Sequence, residues 1–500
     1  MHNRIRHNRI RHNRIRHNKI KHRIIIVIFF TLFGIIELAY PQRAQAEPVV
    51  HVASDKQGAP QAAPAAQADK QVFEAEQLLH RRSAEFNREI IKLTDNAYTA
   101  VGYGVSAISM VIGPNGYFLI DAGIDPAETK EALDEFAKLT DKPLRALLIT
   151  HGHFDHFAGA QAILAAHPNI DIWAMENFGH ENKFFTDAGL TIQGKRGALQ
   201  SGFLLPREKR INNGIAKVYY PPKATEAWRN RTIPHPTKTI NAPTRVIIAG
   251  LTVEMMPSPG ETYDTMSIWL PQKSVLFAGD NFYKSWPNLY PIRGAAYRDV
   301  KLWIDALDAL LAKRANVLVG GHTRPIIGRR KVQQILSDYR RGVASVFEQT
   351  IAGMNKGLTV DELVATVRLP SDLADKDFLR PYYGHPEWAV RSIYSGYLGW
   401  FDGNPTNLFP LSAKERAAEI ASMLGGEAQL FAQLRLAQSQ NKHQWTAELA
   451  DMILALQPQN KQAMRAKADA YDKLGRALLT ATGRNFYFST AQQLRKQIGE

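Results

Sequence analysis

Residues 150–160 read Thr-His-Gly-His-Phe-Asp-His-Phe-Ala-Gly-Ala and place His151, His153, Asp155 and His156 within six positions, directly after an apolar run at 144–149. In an extended chain alternate side chains share a side, so His151 and His153 can grip one ion together. Asp155 and His156, one turn further on, point at a neighbouring spot. Two imidazole-rich clusters this close suit a pair of borderline divalent ions, zinc above all. Three histidines satisfied separately on a surface loop would be the bland account. Four metal-competent side chains in six residues, at the end of a buried strand, argue against it.

Such a site needs further donors, and the sequence offers them where apolar runs give way to loops. Asp121 ends the run 116–120 and is followed by Ala122-Gly123. Glu261 follows Pro259-Gly260 after the run 253–256, Asp280 ends 275–279, and His322 follows 317–321. One edge of a sheet assembles a site in this way.

The motif H-x-H-x-D-H, with Asp121, Glu261, Asp280 and His322, resembles the metallo-β-lactamase superfamily. Glutamate at position 261, where that superfamily usually has histidine, is similar to the zinc-dependent alkyl sulfatases, the hydrolases of dodecyl sulfate and related detergents. The resemblance extends over roughly 72–496: Asn288, Pro291-Ile292-Arg293-Gly294-Ala295, Arg298-Asp299, Tyr382-Tyr383-Gly384, the segment 397–405, Arg484-Asn485-Phe486-Tyr487 and Ala491-Gln492-Gln493-Leu494-Arg495. It implies an α/β metallo-β-lactamase αββα sandwich followed by an all-α dimerisation domain. It also implies two Zn²⁺ per chain, one held by His151, His153 and Glu261, the other by Asp155, His156 and His322, with Asp280 bridging. Asp155 would serve catalysis as well as metal binding. Arg293 has the head group for a planar, two-point grip on sulfate, and Asn288 would donate a further hydrogen bond. The implied reaction is hydrolysis of alkyl sulfate esters to alcohol and inorganic sulfate, by attack at carbon or at sulfur. The alternative is another hydrolase of this fold acting on a lactam, thioester or phosphodiester; a non-enzymatic binding module is argued against by the full ligand set. Three departures stand out: Asp280 where the family commonly has glutamate, no tyrosine in Leu199-Gln200-Ser201-Gly202, and a chain that stops at Glu500 where the family continues into a sterol-carrier-like domain. The last leads to an expectation of short or medium alkyl chains.

Composition narrows the field. Five hundred residues suggest two or three domains. With 45% apolar and 22% charged residues the chain has an ordinary globular composition. Residues 1–46 hold ten Lys or Arg against Glu37, so +9 of the net +15 lies there and +6 remains. That modest surplus suits anionic substrates, and no basic patch with interleaved aromatics points to nucleic acid. There is no cysteine. Disulfides, thiolate ligands and a formylglycine made from cysteine are all excluded.

The order of elements is read as follows. Residues 1–22 repeat His-Asn-Arg-Ile-Arg, 24–38 are largely apolar, and Ala44-Gln45-Ala46 is a small-x-small site. Together they describe a signal peptide at 1–46, hence a periplasmic or secreted protein, with an uncleaved anchor as the alternative. A flexible Ala/Gln/Pro-rich linker follows at 47–71. The catalytic domain spans 72–330, with helices expected at 126–139 and 300–314, a hairpin turn at Pro271-Gln272-Lys273, and an irregular loop at 228–243. The helical dimerisation domain spans 331–500, with helices at 332–355, 413–424, 427–441, 444–456 and 460–474, the last ones packed as hairpins. It makes the protein a homodimer, with Trp388, Trp400 and Phe401 as core or interface aromatics.

Overall fold

The apolar runs that precede the candidate ligands pair edge to edge in two sheets. The structure is a computed structural model describing residues 65–218 and 233–500, all within one compact unit. After helix α1 (Ala65–Arg82), the first sheet runs in chain order: β1 (Glu89–Thr94), β2 (Ala97–Val101), β3 (Ile108–Gly113), β4 (Gly116–Ile120), β5 (Leu144–Leu148), β6 (Asp171–Met175) and β7 (Lys238–Ile240). The first four strands pair antiparallel and β4 to β7 pair parallel. Parallel pairing needs crossovers. They are α2 (Pro126–Phe136) between β4 and β5, and α3 (Phe154–Phe157) with α4 (Ala160–Ala166) between β5 and β6. Helices α5 (His180–Asp187) and α6 (Ile192–Gln200) follow β6. Proline at the first turn of α2 and the Asp125 carboxylate, which accepts from the amide of Ala127 at 2.9 Å, fix where that helix begins.

The second sheet has the order β13-β12-β11-β10-β9-β8: β8 (Thr244–Ile248), β9 (Leu251–Pro257), β10 (Met266–Leu270), β11 (Val275–Phe277), β12 (Val317–Val319) and β13 (Ile326–Ile327). Helix α7 (Val300–Ala312) forms the β11–β12 crossover, capped by Asp299. Between the sheets Phe118, Ile120 and Leu148 meet Val253, Met255, Ile268 and Phe277. Outside the first sheet Leu119 and Leu147 pack on Ala132, Phe136 and Ile163. Outside the second, Leu276 and Leu318 pack on Trp303, Leu307 and Leu310. These are the four layers of an αββα sandwich, as expected.

Helix α8 (Arg329–Met354) joins that last core through Val332, Leu336, Tyr339 and Val343, so the first long helix of the helical part is built onto the sandwich. Next come α9 (Val360–Thr366), α10 (Ser371–Ala374) and α11 (Pro386–Leu398), then α12 (Ala413–Met423), α13 (Glu427–Ser439), α14 (His443–Leu456), α15 (Lys461–Ala477) and α16 (Ala481–Ile498). Leu430, Leu434, Leu449, Ile453 and Ala463 make a small core of their own among α13, α14 and α15. The last helix turns back to the sandwich: Ser489 donates to the carbonyl of Leu199 at the end of α6, at 3.3 Å.

Two expectations change. Part of 228–243 is a strand, because Ile240 is buried and residues 238–240 add in parallel register to β6 as an edge strand; 219–232 lie outside the described residues. Trp400 is 73% exposed, which removes the core from its two expected places and leaves the interface. Residues 1–64, with the expected leader and most of the linker, also lie outside the description. No helix among the described residues is long and apolar enough to cross a membrane.

Candidate metal centre and active site

The site is built from loops at one end of both sheets. His151 and His153 leave the end of β5, Asp155 and His156 lie on α3, Asp280 follows β11, and His322 follows β12. Their donor atoms converge in two groups, His151–His153–Asp280 and Asp155–His156–His322, each with its ligand atoms within 4.8 Å of one another. Asp280 reaches both groups, with Oδ1 3.3 Å from His156 Nε2 and Oδ2 3.1 Å from His322 Nε2.

The backbone and second shell decide which nitrogen each imidazole presents. Asp121 adopts a left-handed φ of 59° and turns its carboxylate inward. There it accepts from the Thr150 amide at 2.8 Å and the Thr150 hydroxyl at 2.9 Å. Its Oδ2 also lies 2.8 Å from His156 Nδ1, and because a carboxylate only accepts, that nitrogen must donate. His156 therefore presents Nε2. His322 Nδ1 likewise donates to the carbonyl of Val105 at 2.8 Å, and His151 Nδ1 lies 3.1 Å from the Thr150 hydroxyl. His153 has the opposite orientation: Nδ1 faces His151 Nε2 at 2.9 Å, and Nε2 faces Glu181 Oε2 at 3.6 Å. Fixing the ring through its other nitrogen is how proteins orient imidazole ligands. Gly321, next to His322, has no room for a side chain, since a Cβ there would overlap Asp280 Oδ1 and crowd His156.

Electrostatics tell the same story. Burial pushes the His151 imidazolium down, and the neighbouring imidazoles of His156 and His153 push it further. Burial also acts against a charged His156, but the carboxylates of Asp280, Asp121 and Asp155 outweigh it and hold its pKa high. Asp280, buried too, is held well below the usual carboxylate range by His322 and His156. The buried polar atoms without a hydrogen-bond partner include three candidate donors of this site: His156 Nε2, Asp280 Oδ1 and Glu261 Oε2. Unpartnered buried atoms are costly unless something satisfies them. Imidazole and carboxylate donors of this kind fit a divalent metal.

Glu261 differs from expectation. It lines the same cavity but stands outside the two convergent groups, because Arg298 Nη1 holds its Oε1 at 2.5 Å. Burial pushes its carboxyl up to about 7 against the pull of Arg298. Arg293 lines the cavity as well; its Nη2 donates to Glu181 Oε1 at 3.0 Å and lies 3.4 Å from His153 Nε2. Asn288 sits behind Arg298, which donates to its carbonyl at 2.7 Å, and it is not among the residues lining the cavity.

The sequence reading gave Glu181 no role. This residue on the short helix α5 faces His153, Arg293 and Arg298, which together hold its carboxylate far below its usual range despite burial. No local pattern marks it, as its partners lie far along the chain. Tyr383 and Asn485, inside segments that carried the resemblance, also reach the cavity wall, as does Thr482. So do Gln200 and Ser201, where tyrosines were expected. The cavity has a volume of about 450 Å³ and is lined by His153, Asp155, Glu261, Asp280, His322 and Arg293 together with the apolar Ile124, Phe154, Phe185, Phe203 and Ile215.

The comparisons agree with this geometry. Residues 101–322 match the metallo-beta-lactamase superfamily, and residues 359–497 match the family described as alkyl sulfatase dimerisation. The chain is 33% identical over 399 residues to the linear primary-alkylsulfatase of Pseudomonas sp. (strain ATCC 19151), covering 78% of this chain and 74% of that one. It is 32% identical to an (R)-specific secondary-alkylsulfatase of Pseudomonas sp, over 82% of this chain but only 63% of that longer protein. A solved stereoselective inverting sec-alkylsulfatase from Pseudomonas sp. superposes with a TM-score of 0.76 at 30% identity, over 84% of this chain and 67% of that one. The chain therefore belongs to the alkyl sulfatase family of the metallo-beta-lactamase superfamily, a metal-binding α/β sandwich followed by that family's helical dimerisation domain.

Proposed function

We propose that this protein hydrolyses alkyl sulfate esters to alcohol and inorganic sulfate at a site holding two zinc ions. The observation that carries this reading is the lining of one cavity, where members of both convergent ligand groups, Arg293 and several apolar side chains meet. His151, His153 and Asp280 would hold one ion, with Glu261 as a further donor through its unpartnered oxygen. Asp155, His156 and His322 would hold the other, with Asp280 shared. When bound, such a pair polarises the ester and lowers the pKa of a water from about 15.7 towards 7.

The chain's own groups do the rest. Arg293 carries the positive charge that pairs with the sulfate oxygens, and charge-assisted hydrogen bonds of this kind are stronger than neutral ones. Glu181 positions Arg293 and, through His153 Nε2, the ring that faces His151. Burial raises the Tyr383 hydroxyl pKa, so that side chain keeps its proton beside the developing negative charge. Ile124, Phe154, Phe185 and Phe203 receive the alkyl part and keep water from it. Asp155 takes part as a ligand and also lines the cavity.

Elemental analysis should find about two zinc ions per chain, and a chelator should abolish sulfate release, with zinc restoring it. Turnover of a lactam or phosphodiester, with no sulfate released from any alkyl sulfate, would favour the other hydrolases of this fold. We also propose a homodimer formed through the helical part, supported by the exposed Tyr397, Leu398, Trp400 and Phe409 within residues 359–497. Light scattering that gives a monomer's mass would refute it. Export to the periplasm with cleavage after Ala46 completes the reading, and N-terminal sequencing of the periplasmic fraction tests it.

A further inference from the structure

The rim of the cavity carries a feature that the chemistry does not use. Helices α5 and α6 form a helical hairpin whose inner side contributes Phe185, Gln193, Gly197 and Ala198 to the cavity wall. On its outer side Phe184, Leu190 and Ile192 are 52%, 48% and 49% exposed, clustered around the turn 188–191. Three large apolar side chains standing in water within nine residues of sequence mark an interaction surface rather than a random apolar residue.

The charges beside them are one-sided. From 188 to 207 the chain carries Lys195, Arg196 and Arg207 and no acidic residue. Earlier in the hairpin Lys183 and Asp187 cancel each other in an ion pair at 3.1 Å. Apolar side chains at a tip, flanked by basic ones, are the composition of elements that lie in the interface of an anionic amphiphile layer. The hairpin is also continuous with the wall of a cavity suited to one anionic amphiphile.

We propose that the α5–α6 turn is a docking element that seats the protein on an anionic amphiphile surface, with the cavity mouth beside it. Leu190, Ile192 and Phe184 enter the apolar layer, while Lys195 faces its anionic head groups. Substrate then passes from the layer to the cavity along the inner side of the same hairpin. The choice of an anionic surface rests on the sulfate-ester reading; binding itself requires no turnover.

The test is cosedimentation with phosphatidylcholine vesicles doped with dodecyl sulfonate, which has no ester to hydrolyse. Wild type should pellet with these vesicles and remain in the supernatant with undoped ones. Leu190→Ser/Ile192→Ser should lower the partition coefficient about tenfold or more, and Lys195→Glu should lower it on the doped vesicles too. Both sites are exposed and outside the cavity, so each variant should keep its circular dichroism and its rate of sulfate release from a short, monomeric alkyl sulfate. Wild type that fails to pellet while releasing sulfate overturns the docking element and leaves the hydrolase reading intact. Variants that pellet as wild type does also overturn it.

Discussion

Replacing Arg293 with alanine separates binding of the sulfate group from binding of metal. The guanidinium is 17% exposed, so solvent screens it weakly, and its Nη2 is held by Glu181 at 3.0 Å. At an effective dielectric of 20, two unit charges 4 Å apart attract by about 4 kcal/mol; the neighbouring Glu181 carboxylate cancels part of that attraction. The remainder should resemble the loss of a hydrogen bond to a charged group, roughly 1.5–3 kcal/mol, or about ten- to a hundredfold in kcat/KM. Metal content should not change, because Arg293 contributes no donor atom to either ligand group. Nor should the fold suffer, since Glu181 keeps Arg298 at 4.0 Å and His153 at 3.6 Å as partners. The assay is sulfate release from a short alkyl sulfate, run alongside elemental analysis of the same sample. A loss of less than about threefold, or a loss matched by falling metal content, would show that Arg293 is not the sulfate grip.

Three further outcomes follow from the geometry. Asp121→Asn removes the carboxylate that His156 Nδ1 needs and should weaken metal retention about ten- to a hundredfold; chelator competition measures this, and unchanged retention would mean that the ring is oriented by packing alone. His151→Ala should lose metal and activity together, so a variant that keeps its metal yet is inactive would contradict the assignment. Glu128, with Oε2 unpartnered and Lys217 3.9 Å away, has its carboxyl pushed up to about 7 by burial, from 4.5 unfolded. A folded pKa above the unfolded one gives stability that is full below about 4.5 and lost as pH rises through 7. Glu128→Gln should therefore flatten urea-measured stability between those limits, by at most about 3 kcal/mol; parallel profiles for the two proteins would refute it.

Much of the site could be read from sequence because its residues announce themselves locally. Four donors within six positions, and single donors at the ends of β4, β11 and β12, follow from how a sheet edge gathers loops. The helix boundaries came close for the same reason, as at α7, where Asp299 and the buried Trp303, Ile304, Leu307 and Leu310 give both a start and a face. What stayed hidden depends on distance along the chain. Glu181 acquires meaning from Arg293, 112 residues on, and Arg298 holds one oxygen of Glu261 across 37 residues. Strand β7 is only three residues long and follows a proline-rich stretch, so its pairing with β6 leaves almost no periodic trace.

The closing helix carries a practical consequence. Thr482 and Asn485 on α16 form part of the cavity wall, beside Ser201 on the loop after α6. The pocket's shape is thus written in two stretches of sequence nearly three hundred residues apart. A directed-evolution library confined to the sandwich would leave the part of the wall made by Tyr383, Thr482 and Asn485 untouched. Conversely, exchanging the helical part between relatives should transplant substrate preference along with it, which makes chimeras a direct route to new specificities.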